Sequence, residues 1–102
     1  MDKIINMIVT ESGLPANKVT NTVGLLDDDK TIPFIARYRK EVTGELDEVQ
    51  IRQIDELLKF YRGLEQKKEE VIRLIEEQGK LTEELRGKIL AARRPVEIDD
   101  IY

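Results

Sequence analysis

The sequence predicts an all-α fold, a compact unit of about five to six helices arranged with one long central helix. Three observations predict it. Apolar residues recur at steps of three and four along most of the chain, and no segment alternates with the period of a strand. Charged residues make up 37% of 102 positions against 40% hydrophobic ones, a balance that suits helices with solvated outer faces better than a sheet. Glycine, proline and capping residues punctuate the periodic runs at their ends.

The first helix carries Ile4, Ile5, Ile8 and Val9, and Gly13 stops it. Pro15 opens the second, with its stripe at Ala16, Val19, Val23 and Leu26. Its β-branched and Asn residues make that helix intrinsically weak, so packing must hold it. Asp27, Asp28, Asp29 and Lys30 then form a solvated turn. A calcium loop does not fit there, because Ile32 and Tyr38 stand where it needs Gly and a bidentate Glu.

The stretch TIPFIARYRKEVTG, Thr31 to Gly44, predicts a third helix. On it Phe34, Ile35, Tyr38 and Val42 fall within one arc of roughly 100° and face inward. Arg37 and Arg39 flank that arc, Lys40 points away, and Gly44 ends the helix. Asp47 with Gln50 then predicts a capping box, and Leu46 with Ile51 a hydrophobic staple. The helix they open runs through Ile54, Leu57, Tyr61, Leu64, Lys68, Val71 and Ile75 to Gly79, about thirty residues or roughly 45 Å. Polar residues from Glu65 to Glu70 predict a wet middle, with Glu69–Arg73 and Glu76–Lys80 pairing along the surface. Gly63 and that polar gap favour packing on the chain's other helices over a self-paired coiled coil.

Thr82 caps the next helix, with Glu83 and Glu84 in its first turn and a stripe of Leu85, Ile89 and Leu90. Arg93, Arg94 and Pro95 end it. VEIDDIY starts a last amphipathic unit through Val96, Ile98, Ile101 and Tyr102, and its abrupt stop reads as a cut. Residues 1–102 thus read as a single all-helical domain, the N-terminal fragment of a longer multidomain protein.

Composition narrows function. Without cysteine there is neither a disulfide framework nor a thiolate metal site. No run is long and apolar enough for a membrane span, and the N-terminus lacks a signal-peptide pattern, which predicts a soluble, cytoplasmic chain. With histidine absent and Ser12 the sole serine, nucleophile–base pairs have no parts, and no glycine-rich phosphate loop occurs. Neither an enzyme nor a bound cofactor or metal is expected. The net charge of −4 disfavours bulk electrostatic capture of nucleic acid. Two basic groups nevertheless stand out: Arg37, Arg39 and Lys40, and a second that contains Lys88, Arg93 and Arg94. Arg39 and Arg94 have the fork geometry to grip a phosphate. The plainer expectation is that these arginines pair with Asp47, Glu48, Asp55 or the Asp27 turn.

TIPFIARYRKEVTGELDEVQIRQI, Thr31 to Ile54, closely resembles the signature of the bacterial Tex family of transcription accessory proteins. EEQGKLTEELRGKI, Glu76 to Ile89, is similar to the same family at the equivalent distance downstream, and VEIDDIY resembles the start of a segment that runs on into a basic stretch. One departure is Glu45, where family members often have a second glycine. The resemblance implies a much longer protein, with a helical N-terminal region, an RNase-H-like domain, helix-hairpin-helix units and an RNA-binding OB-fold domain. It also implies kinship with a eukaryotic elongation factor that associates with RNA polymerase and chromatin, and no established catalysis. This chain would be a helical scaffold or interaction module. Its partners would be the remaining domains of its own chain, RNA or DNA through the full-length protein, and the transcription machinery. The alternative is direct nucleic-acid contact through Arg37, Arg39, Lys40, Arg93 and Arg94.

Overall fold

In the computed structural model, which describes residues 2–101, the chain forms seven α-helices and no strand among the described residues. These are α1 (Asp2–Ser12), α2 (Ala16–Asp27), α3 (Ile32–Tyr38), α4 (Lys40–Thr43), α5 (Glu48–Glu77), α6 (Glu83–Ala91) and α7 (Pro95–Ile101). The chain sorts into two compact units, one ending at Phe60 and one beginning at Tyr61, and the division falls inside α5.

In the first unit α1 packs on α2, α2 on α4 and α3 on α4. Its buried aliphatic residues include Ile5, Ile8, Val19, Val23, Ile35, Leu46 and Ile51, and Thr22 and Thr43 are buried with them. Pro15 is the N-cap of α2, its fixed φ of −61° already in place. At the other end Asp29 takes φ +62°, and the amides of Asp29 and Lys30 bond to the carbonyls of Leu26 and Leu25. That is a Schellman ending with Asp where glycine is usual. Gly44 at φ +73° and Glu45 at φ +66° are two successive left-handed residues that turn the chain out of α4. Both halves of the box at Asp47 form: its carboxylate accepts from the Gln50 amide at 2.8 Å, and Gln50 Oε1 accepts from the Asp47 amide at 3.0 Å. Leu46 and Ile51 on either side are buried, as a staple requires.

The single helix expected between Thr31 and Gly44 is instead two. Arg39, at φ −129° and ψ 31°, breaks it. Its Nη1 donates to the carbonyl of Tyr38 at 2.9 Å, so its own side chain satisfies a polar group at the break. The break also alters which residues turn inward. Ile35 and Thr43 are fully buried, Phe34 and Val42 are half-buried, and Tyr38 is 55% exposed.

In the second unit α6 packs on α7, and the buried positions of α5 are Tyr61, Leu64, Lys68, Val71 and Ile75. The expected wet middle is only partly wet. Gln66, Glu69 and Glu70 are exposed, but Lys68 is 1% exposed and belongs to the core. Its Nζ donates to the Leu90 carbonyl at 2.8 Å and lies 3.5 Å from Glu65 Oε1. A long aliphatic stem lets lysine occupy a core register position provided the ammonium finds acceptors. Leu58, not Leu57, is the buried residue a turn before Tyr61.

The pairs formed along the early part of α5 are Glu48–Arg52 and Asp55–Lys59 rather than Glu69–Arg73 and Glu76–Lys80. Lys80 lies beyond the helix end, where Gly79 at φ +69° lets the Lys80 amide bond back to Ile75. Thr82 Oγ1 accepts from the Leu85 amide at 3.1 Å and caps α6. In the last two helices Ile89 and Ile98 are the buried positions, while Leu90 and Val96 are largely exposed. Tyr102 lies outside the described residues.

Candidate functional site

Thr31 Oγ1 accepts from the Phe34 amide at 3.3 Å, and Pro33 sits in the first turn, so α3 starts sharply. Phe34 and Tyr38, one turn apart, then share a side, with ring centres 5.3 Å apart and planes at 50°. Cations gather on these rings. Lys30 Nζ stands 5.7 Å from the Phe34 ring centre, Arg39 Cζ 4.9 Å from the same ring, and Arg37 Cζ 5.9 Å from Tyr38. These distances lie within the range of cation–π attraction. Lys40 and Glu48 join Pro33, Arg37 and Tyr38 around an open depression of about 670 Å³. From Lys30 to Lys40 there are four cations and no acid.

The expected neutralisation by acids is not what forms. Glu48 pairs with Arg52 at 3.0 Å, Asp55 with Lys59 at 2.9 Å, and the Asp47 carboxylate caps α5. Arg37 and Arg39 are held by aromatic rings and, for Arg39, a main-chain carbonyl. Arg39 is thus engaged within the segment, while Arg37, with a ring contact alone, keeps its charge available to an anion.

Lys88, Arg93 and Arg94 belong to the second unit. Lys88 reaches Glu84 at 3.6 Å along α6. Around the turn into α7, Glu97 Oε2 accepts from the Arg93 amide at 2.6 Å and the Arg94 amide at 3.4 Å, and its Oε1 lies 3.9 Å from Arg94 Nε. The Arg93 amide is the main reason the Glu97 carboxyl is held below its ordinary pKa; the Arg94 amide and both guanidinium charges add to it, against a smaller opposing effect of burial. Glu97 thus partly answers the charge of this group, which frames a turn.

Sequence patterning did not count Lys30, Phe34 and Tyr38 as site residues: it placed Lys30 in the turn and both rings on the inward arc, although Phe34 and Tyr38 stand one helical turn apart. Among the described residues no cluster of three acidic side chains is placed to hold a metal ion, and no helix is long and apolar enough to cross a membrane.

Residues 2–76 match the family described as Tex-like protein N-terminal domain. The chain is 50% identical over 95 residues to the uncharacterized protein YdcI of Bacillus subtilis, covering 93% of this chain and 13% of that one. It is 44% identical over 99 residues to the transcriptional accessory protein Tex of Neisseria gonorrhoeae, covering 97% of this chain and 13% of the relative. A more distant relative is the S1 RNA-binding domain-containing protein 1 of Pongo abelii, 32% identical over 98 residues, 96% of this chain and 10% of that protein. The chain therefore spans about an eighth of the length of the bacterial relatives it matches.

Proposed function

Because the chain belongs to the family of Tex-like protein N-terminal domains, we propose that it is the non-catalytic helical scaffold and interaction module of a larger, cytoplasmic transcription accessory protein. Its partners are the other domains of that protein and, through them, RNA or DNA and the transcription machinery. The observation that carries this reading is α5, a continuous 30-residue helix. Ile51, Ile54 and Leu58 serve the buried set of the first unit, while Leu64, Val71 and Ile75 serve that of the second. An element of this kind spends its apolar face on architecture and leaves its outer faces for partners. The names of the relatives support the setting: one is a transcriptional accessory protein, another carries an S1 RNA-binding domain.

The test is a salt-series titration of labelled single-stranded RNA and duplex DNA. It compares this chain, the full-length protein, and the full-length protein lacking residues 1–102. A scaffold binds weakly on its own near physiological salt, and its removal lowers the melting temperature of the remainder. Sub-micromolar binding by the chain alone would overturn the reading, as would a remainder whose melting is unchanged.

A further inference from the structure

We propose that the surface from Lys30 to Lys40 is a stacking site for single-stranded nucleic acid, with Tyr38 as the base platform and Lys30, Arg37 and Lys40 as phosphate contacts. This goes beyond the scaffold role and does not rest on it.

Three observations converge. The first is aromatic exposure. Tyr38 is 55% exposed although it lies on a short helix with a buried neighbour, Ile35, available to anchor that helix. Its neighbour Phe34 is half-buried and supports it from 5.3 Å, so the outer ring is propped rather than loose. A propped, largely exposed ring is what a nucleobase stacks on, and such stacking tolerates any base.

The second is charge. The chain is net −4, yet this segment carries four cations and no acid. The local sign is opposite to that of the molecule, and the acids nearest in sequence on α5 are engaged with Arg52, Lys59 and the helix cap. The patch therefore complements a polyanion on a molecule that is acidic as a whole.

The third is the division of labour among the cations. Arg39 is committed, since it covers Phe34 at 4.9 Å and donates to the Tyr38 carbonyl. It builds the platform. Lys30 and Lys40 are exposed, Arg37 is exposed over the Tyr38 ring, and Lys40 and Arg37 border the same depression, whose one acid, Glu48, is paired with Arg52. Cations beside a base-sized ring serve the alternation of base and phosphate along a single strand. A duplex keeps its bases stacked inside and offers the ring nothing. An acidic peptide would use the charges but not Tyr38.

The experiment is fluorescence anisotropy at low salt with labelled single-stranded oligo(U) of about twelve nucleotides, a length within the usual range for such sites. A duplex of the same length and a poly-glutamate peptide serve as competitors. With three phosphate contacts, log affinity should fall against log salt with a slope of about −2. Tyr38→Ala should weaken binding by about five- to a hundredfold, and Tyr38→Trp should restore it. Melting of each variant, followed by circular dichroism, should match the parent because Tyr38 is largely exposed. The proposal is overturned if Tyr38→Ala binds oligo(U) as the parent does, or if Tyr38→Trp is as weak as Tyr38→Ala. It is overturned equally if poly-glutamate or duplex competes as well as the single strand, or if no saturable binding appears at low salt. Binding that is tight at physiological salt would instead count against the scaffold reading, so the two fail separately.

Discussion

The ammonium of Lys68 donates to the main-chain carbonyl of Leu90 at 2.8 Å, tying the middle of α5 to the penultimate residue of α6 inside a core that is otherwise apolar. The carbonyl it serves is one of the last four of α6, which have no partner within the helix. Lys68 is thus a capping residue delivered from another helix. Glu65, 3.5 Å from the same nitrogen, helps to hold the charge.

Lys68→Met keeps most of the volume and removes the donor. We expect a loss of about 1–3 kcal/mol, the usual consequence of stranding a buried acceptor. Urea denaturation followed by circular dichroism measures it. A neutral outcome would mean that the Leu90 carbonyl finds water and that Lys68 contributes only its stem.

The Glu97 carboxylate provides a pH dependence with a definite sign. Its folded pKa is lowered, chiefly by the Arg93 amide. The unfolded chain therefore takes up a proton at higher pH than the folded one, and the contribution is present above the ordinary carboxylate range. It fades as pH falls through the lowered folded value. Melting of the parent and Glu97→Gln should differ most near neutrality and converge in acid. Curves that stay parallel down to strongly acidic pH would show that the contact with the turn into α7 does not depend on charge.

Elements with local chemistry were legible in the sequence. Asp47 with Gln50, Thr82, Gly79 and Pro15 each act within a few residues of themselves, so spacing alone revealed them. The break at Arg39 was not legible, because neither glycine nor proline marks it and the interactions that support it come from the arginine's own side chain. Lys68 was misread for the opposite reason. Its position on the stripe was visible, but polarity was taken as exposure, and the acceptor that makes burial affordable lies 22 residues away. The candidate site was half legible: its cations were seen, and its rings were assigned to the core.

The glycines separate cleanly. A Cβ at Gly63 would meet nothing within 4 Å, so the α5 interior carries a helix-weakening residue with no packing reason. Gly63→Ala should stabilise by about 0.5–1 kcal/mol. At Gly44, φ is +73° and a Cβ would stand 2.7 Å from Lys18 Cε, so Gly44→Ala should destabilise. Next to it Glu45 sits at φ +66°, in the left-handed region that favours glycine. Relief of about 1–2 kcal/mol of left-handed strain exceeds the added freedom of the unfolded chain, about 0.4–1 kcal/mol. Glu45→Gly should raise the melting temperature. Thermal scans of the three variants check all of this at once.

The segment from Thr31 to Gly44 offers the sharpest partition between architecture and surface. Ile35 is fully buried, so Ile35→Ala should cost about 2–5 kcal/mol. Phe34 is half-buried and carries two cations on its ring, so Phe34→Ala should cost roughly half of the 3–5 kcal/mol typical of full burial. Tyr38 and Lys40 are exposed, and Tyr38→Ala or Lys40→Glu should move stability by less than about 0.5 kcal/mol. The two arginines then divide. Arg39→Glu loses both the Phe34 ring and the Tyr38 carbonyl and should lower the melting temperature, whereas Arg37→Glu loses only a partly exposed ring contact and should leave it unchanged. Thermal melts of the two charge reversals decide the matter. Equal losses at both would mean that Arg37 makes an ion pair in solution and that the basic face is neutralised from within. A loss confined to Arg39 leaves Arg37 as a charge the fold does not need.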